Sequence, residues 1–299
     1  MQLYYEVVAF IVGLNVGSFL NVVIARVPEG QSIVAPRSRC PKCGAAIAWY
    51  DNIPLLSWLA LRAKCRRCGQ PISARYPMVE LLTGLLALAI AREQPFGPWA
   101  VALFAFACLL VAITYIDLDH WIIPHALTWP GILLGLAAGR WAPDRTLLDG
   151  LYGALGGFAV FALIGFVGAK VFKKEALGQG DWWLLAMIGA FLGWQALLPV
   201  ILLASLQGTV VGLLLIVLGR SETGEKPAQV EGALPQDGTP PEGTGAAPVD
   251  ADEDEDEEWV PPKNAVPFGP FLALAALEQL FVGDWLRTVY EHALSRLIA

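Results

Sequence analysis

The chain has 299 residues, 56% of them hydrophobic and only 16% charged, with a mean hydropathy of +0.55. Soluble domains carry nearer a quarter charged residues, so this composition excludes a soluble enzyme and points to a polytopic membrane protein with the lipid bilayer as its solvent. The net charge of −7 misleads, because residues 221–262 hold 13 acids against one Lys and leave the rest of the chain net positive.

A hydrocarbon core of about 30 Å needs roughly 20 apolar residues per helix. The apolar runs predict eight spans, at about 4–25, 77–91, 99–117, 122–139, 150–169, 182–195, 197–218 and 265–283, the sixth being short. None of them alternates apolar with polar as a barrel strand would. The expected fold class is therefore an all-α polytopic membrane protein of about eight transmembrane helices.

The first span reads GLNVGSFLNVVIARVP. It lacks the basic start and A-x-A-like site of a cleaved signal and reads as a retained helix. Asn15, Ser18 and Asn21 fall within about 120° of its circumference at 100° per residue. Such a polar face suits either helix–helix hydrogen bonds or a substrate. Gly13 and Gly17 form a small-xxx-small pair that lets another helix come close. Ser18 has no His or Lys base in its span, which argues against a serine nucleophile.

The following loop contains CPKCGAAIAWYDNIPLLSWLALRAKCRRCG. Cys40 and Cys43 make one C-x-x-C knuckle, Cys65 and Cys68 the other, and 21 residues separate the pairs. Four thiolates at this spacing suit tetrahedral zinc, and a closed four-sulfur shell leaves no position for a reacting water. The site reads as structural. Cys108, inside the third span, reads as a small buried apolar residue. Glu80, at the start of the second span, reads as half of an interfacial ion pair, or as a group that receives a basic peptide or an amino terminus.

Intramembrane carboxylates are candidates for function. The third span ends in ITYIDLDHWIIPHAL, with Asp117 at its end and Asp119 two residues on, and the sixth begins at GQGD, bringing in Asp181. Topology puts Asp117 and Asp181 at one membrane depth. If those helix ends pack together, the two carboxylates can share a proton and a water, the requirement for aspartic peptide hydrolysis. Gly178 and Gly180 would let another backbone approach. The residues alone leave two other readings open. Asp181 could be a helix N-cap, or both carboxylates could serve a proton-coupled transporter, although that reading predicts carboxylates at midplane and inverted repeats.

Lys and Arg counts orient the bundle. Fifteen of the twenty lie in loop 26–76, around Lys170 to Lys174 and at Arg220, Lys226 and Lys263, which puts those loops in the cytoplasm and both termini outside. A disulfide framework is disfavoured in that reducing compartment. Residues 221–262, including PVDADEDEDEEWVPP, have little apolar surface to bury and read as a disordered acidic insert. The expected division is a first helix 1–25, a zinc-binding loop 26–76, a membrane core 77–220, the insert 221–262 and a last helix with its tail 263–299.

With these motifs assembled, the chain resembles the bacterial type IV prepilin peptidases. The resemblance rests on GSFLNVVIARVP, YDNIPLLSWL, ARYPMVELLTG, IDLDHWIIP, LGQGDWWLLAMIGAFLGW and VPFGPFLALAAL, in that order over nearly the whole length. It implies a G-x-G-D membrane aspartic protease of the inner membrane, facing the cytoplasm, with Asp117 and Asp181 as the catalytic pair. It also implies type IV prepilins or type II secretion pseudopilins as substrates, S-adenosylmethionine as donor for N-methylation of the new amino terminus, and no nucleic-acid partner. A peptidase-only homologue is the alternative. No Rossmann-like glycine run supports methylation independently. Two departures stand out. Trp183 occupies the place of a usual Lys, and the acidic insert replaces a short loop.

Overall fold

Each apolar run becomes a helix in the computed structural model, which describes residues 2–143, 145–172, 178–218 and 266–298. The acidic insert 221–262 and the basic residues Lys173, Lys174, Arg220, Lys226 and Lys263 lie outside the described residues. In chain order the α-helices are α1 Gln2–Arg26, α2 Leu56–Ala60, α3 Arg75–Glu93, α4 Pro98–His120, α5 His125–Ala138, α6 Leu147–Phe172, α7 Gln179–Leu192, α8 Leu197–Val217 and α9 Gly269–Ile298. Among the described residues there is no strand, only the isolated bridges Arg39↔Ala46 and Lys64↔Pro71.

The helix ends follow local chemistry. Pro98 opens α4 at its first position, where the missing N–H costs nothing. Pro124 precedes α5, and Gly193, at φ 82°, stops α7. Of the eight long helices, α1, α4, α6 (over Leu147–Val171) and α8 with its preceding turn (Trp194–Val217) are long and apolar enough to cross a membrane. The expectation of about eight spans is thus met by eight apolar helices of unequal reach. With 14 residues each, α5 and α7 rise only about 21 Å. The apolar stretch of α9 is also short, at Gly269–Gly283.

Residues Met1–Gly208 and Pro267–Ala299 form one compact unit. Within it, α4 is the central element, with Leu103, Phe106, Leu110, Ile113 and Ile116 at most 2% exposed. Phe106 stacks on Phe191 of α7 at 4.3 Å between ring centroids. On α8, by contrast, Leu198, Leu202 and Leu206 repeat every fourth residue and are each at least 61% exposed, the stripe expected of a helix that faces lipid.

Two crossings are closed backbone to backbone. On α1, a Cβ added at Gly13 would stand 2.7 Å from Ala87 Cβ, and one at Gly17 would stand 2.7 Å from Glu80 Cα, so the small-xxx-small pair seats α1 on α3. On α6, Gly153 and Gly157 meet the backbone of α7 at Gly189 and Leu185. Small residues at such crossings maximise van der Waals contact where no hydrophobic drive exists between apolar helices and apolar lipid.

Candidate active site and metal centre

The end of α4 carries Asp117, and the chain then turns sharply. Trp121 adopts the left-handed conformation (φ 57°) and its amide bonds back to the Asp117 carbonyl at 2.9 Å. That turn throws Ile123 inward. A Cβ added at Gly180 would stand 2.7 Å from Ile123 Cβ, and one added at Gly269 would stand 3.1 Å from Ile123 Cδ1 and would collide with Asp117 Oδ2. Ile123 thus wedges between the start of α7, which bears Asp181, and the start of α9. The backbone that approaches Gly180 is the α4–α5 turn.

Both carboxylates are buried, Asp117 at 4% exposure and Asp181 at 9%, at helix ends that meet across Ile123. The amide of Gly269 faces the Asp117 carboxylate. Asp181 occupies the third position of α7, not its N-cap, which is Gly178. The Gly178 amide faces one side of the Asp181 carboxylate, while Oδ1 is buried with no hydrogen-bond partner among the described residues. A purely capping Asp would have no reason to leave a buried oxygen unpaired, since such a group is costly. Asp119 is engaged elsewhere. It pairs with Arg75 at 2.6 Å, and the same guanidinium donates to the Tyr115 carbonyl. Trp183 joins an aromatic cluster with Phe158 (4.7 Å), Trp129 (5.4 Å) and His125 (6.1 Å), and points no charge at the carboxylates.

The cysteine loop is built from two equivalent knuckles. In the first, the Cys40 amide donates to Ala45 O and the Gly44 amide to Cys40 O; in the second, Cys65 donates to Gln70 O and Gly69 to Cys65 O. Gly44 and Gly69 both sit at positive φ (67° and 68°), the left-handed turn that favours glycine. All four Sγ atoms lie within 4.8 Å of one another, and Cys40 Sγ is 3.9 Å from Cys68 Sγ. Tetrahedral zinc with Zn–S bonds of about 2.3 Å implies sulfur separations of roughly 3.8 Å, so these residues fit a zinc ion. The amides of Cys43 and Lys42 lower the Cys40 thiol below its ordinary range, and those of Cys68 and Arg67 bring Cys65 down to about 6. The Gln70 amide works the same way on Cys68, but burial and hydrogen bonds with the other three thiols push it up to about 11.

Glu80 is also buried, at 8% exposure, and its Oε2 accepts the Leu55 amide at 2.8 Å. The interfacial ion pair expected for it is not formed: among the described residues no Lys or Arg pairs with it. On the polar face of α1, Asn21 donates to Gly17 O and to Tyr76 O on α3 (3.2 Å), a helix-to-helix bond, while Asn15 bonds within its own helix. Ser18 and Asn15 line a cavity of about 300 Å³.

Comparison with known proteins decides the family. The Bacterial Peptidase A24 N-terminal domain matches residues 11–93, and the Type IV leader peptidase family matches residues 104–213. The chain belongs to the type IV leader peptidase family. Relatives named prepilin leader peptidase/N-methyltransferase include proteins of Myxococcus xanthus, 50% identical over 95% of this chain and 92% of the relative, and of Aeromonas hydrophila, 37% identical over 94% and 92%. That of Pseudomonas aeruginosa is 33% identical over 96% and 94%. No solved structure matches. Asp117 and Asp181 lie within the leader-peptidase match, and all four knuckle cysteines within the N-terminal one.

Proposed function

We propose that the chain is a membrane aspartic endopeptidase that removes the leader from type IV prepilins, or from the pseudopilins of type II secretion, and then methylates the new amino terminus. The observation that carries this reading is the burial of Asp117 and Asp181 together around Ile123, with Asp181 Oδ1 left unpaired. A pair of neighbouring carboxylates holds one proton between them. The ionised member takes a proton from a water, whose oxygen then bonds to the scissile carbonyl carbon. The protonated member hydrogen-bonds to the carbonyl oxygen as it gains charge. Collapse of the tetrahedral species breaks the C–N bond, and the departing nitrogen receives the proton. The excess of Lys and Arg in the connecting loops supports a site at the cytoplasmic face of the inner membrane, in a membrane core that would span residues 77–220.

Cys40, Cys43, Cys65 and Cys68 would hold a structural zinc ion that fixes the fold of loop 26–76. S-adenosylmethionine would supply the methyl group. The test is leader loss from a purified prepilin incubated with the purified full-length protein in detergent, followed on a gel, with and without added S-adenosylmethionine. Leader loss in both, and one added methyl only with the donor, is expected. An uncut prepilin would overturn the peptidase reading, and a cut but unmethylated product in the presence of the donor would leave a peptidase alone.

A further inference from the structure

We infer that Glu278 of α9 and Gln207 of α8 form a polar subsite at mid-membrane depth. It reads a hydrogen-bond donor on the substrate's transmembrane helix, about nine residues past the cleaved bond. The inference rests on the peptidase reading above and deepens it with a specificity determinant remote from the carboxylate pair.

Depth comes from the helices themselves. α9 begins against Asp117, where Gly269 packs on the carboxylate. Glu278 stands nine residues further along α9, about 13.5 Å at 1.5 Å per residue. Gln207 stands ten residues into α8, about 15 Å from that helix's opposite-facing start. The two rises together match a hydrocarbon core of about 30 Å, so both side chains lie near its middle. Gln207 Nε2 donates to Glu278 Oε2 at 2.6 Å across the two helices.

Two observations distinguish this pair from a closed helix-to-helix clasp. Acceptors outnumber donors: Gln207 Oε1 is buried with no partner, and among the described residues the Gln207 amide is the only hydrogen bond to Glu278, with no Lys or Arg paired to it. The pair also interrupts an open stripe. Leu274, Glu278 and Val282 recur every fourth residue on one face of α9, and Leu274 and Val282 are 47% and 41% exposed. Lipid tails offer no donor to such a group. A second helix carrying Ser, Thr, Asn or Gln does, and intramembrane carboxyl groups commonly mark substrate paths.

Continuity with the carboxylate pair makes that helix the substrate's. Leu118 and Ile122, beside Asp117, are exposed, and Leu274 lies just over one turn into α9. A peptide bond held at Asp117 therefore leaves its mature side at the head of the Leu274–Val282 stripe. In the bilayer that segment must be helical to satisfy its backbone. It then advances 1.5 Å per residue, as α9 does, and comes level with Glu278 after about nine residues. The pair selects the substrate and takes no part in the chemistry, so its effect falls on KM.

The experiment uses purified full-length protein in nanodiscs and a model prepilin whose membrane segment is all Leu and Ala. A single Asn is moved through that segment from about the fifth to the fourteenth residue past the cleaved bond. With the wild type, Asn at the eighth to tenth residue should lower KM by about 3- to 20-fold at constant kcat, the range of one interhelical hydrogen bond. The double variant Glu278→Leu/Gln207→Leu should lose that preference while cutting the all-apolar substrate as before, with thermal melting to report its fold. A flat scan, a peak at another depth, or a preference that survives in the folded double variant would overturn the assignment. The wild-type scan decides the matter even where the double variant fails to fold. A photoreactive residue placed at position 274 should capture the prepilin, and capture of a second copy of this chain instead would contradict the substrate as occupant. Failure to cut any prepilin would overturn the peptidase reading itself, a result distinct from cleavage with a flat scan.

Discussion

A methyl group far from the carboxylates should disable them through the α6–α7 crossing. At Gly157 a Cβ would stand 2.6 Å from Leu185 O and 2.9 Å from Leu185 C, both backbone atoms of α7. Ordinary contact begins near 3.4 Å, so Gly157→Ala must part the helices by about 0.8 Å, at a cost of about 1–3 kcal/mol for an overfilled contact. Leu185 lies one helical turn after Asp181, so α7 carries that carboxylate with it. A misplacement of about 1 Å can cost about 10²-fold in rate, which puts the expected loss of cleavage at roughly 40-fold. The control is Gly156→Ala, whose Cβ meets only the flexible end of Leu197 at 3.4 Å. Both changes gain the same helix propensity of about 1 kcal/mol, so their difference isolates the crossing. By thermal unfolding in detergent, Gly157→Ala should melt roughly 2–12 °C below Gly156→Ala, and single-turnover cleavage of prepilin should fall only in the former. Equal melting and equal cleavage of the two variants would refute the reasoning.

The remaining predictions concern the ion pair and the cysteine loop. Asp119→Asn breaks a partly exposed pair with Arg75 (side chains 37% and 33% exposed), worth at most about 1 kcal/mol. Cleavage by that variant should therefore stay within about tenfold of the wild type, and complete loss would place Asp119 in the chemistry. Metal analysis of the purified protein should find one zinc per chain, and Cys65→Ser should lose it; a variant that retained stoichiometric zinc would exclude the four-sulfur site. In chelator-stripped protein, the amides of Cys68 and Arg67 hold Cys65 as a thiolate above about pH 6, while Cys68 stays a thiol until about 11. Peptide mapping after iodoacetamide treatment should find Cys65 alkylated first at pH 7, its rate falling as pH drops through 6, with Cys68 rising only in strong alkali. Equal rates at pH 7 would contradict the geometry of the two knuckles.

How much of this was legible beforehand depended on the range of the interaction. The knuckles were readable because C-x-x-C-G is a local pattern, and each glycine takes the left-handed turn that such a pattern needs. The long apolar runs were readable because a helix is the only open structure that satisfies its backbone in lipid. The contact partner of Gly13 and Gly17 was not, since a small-xxx-small pair says only that some helix comes close. Gly269 at Asp117 was out of reach for the same reason: VPFGPF stood out as a motif, but its partner lies far back in the chain. Ile123 stood inside the motif IDLDHWIIP, but its part in the site did not show, because an apolar residue after a helix end looks like any other until the Trp121 turn aims it between two glycines. Glu80 misled. Interfacial carboxylates commonly pair with Lys or Arg, and only the tertiary structure shows this one enclosed beneath the loop with an amide as its partner. The unequal helix lengths were partly hidden too, because hydropathy registers apolarity and does not register where Gly193 or Pro124 ends a turn.

The most direct test of the buried pair is mass spectrometry of the amino terminus of a prepilin co-expressed with the wild type, Asp117→Asn or Asp181→Asn, each substitution conserving shape while removing one carboxylate. The account predicts a mature amino terminus with the wild type and an intact leader with either variant. A mature terminus with either variant would contradict it, because cleavage would then need no pair of carboxylates.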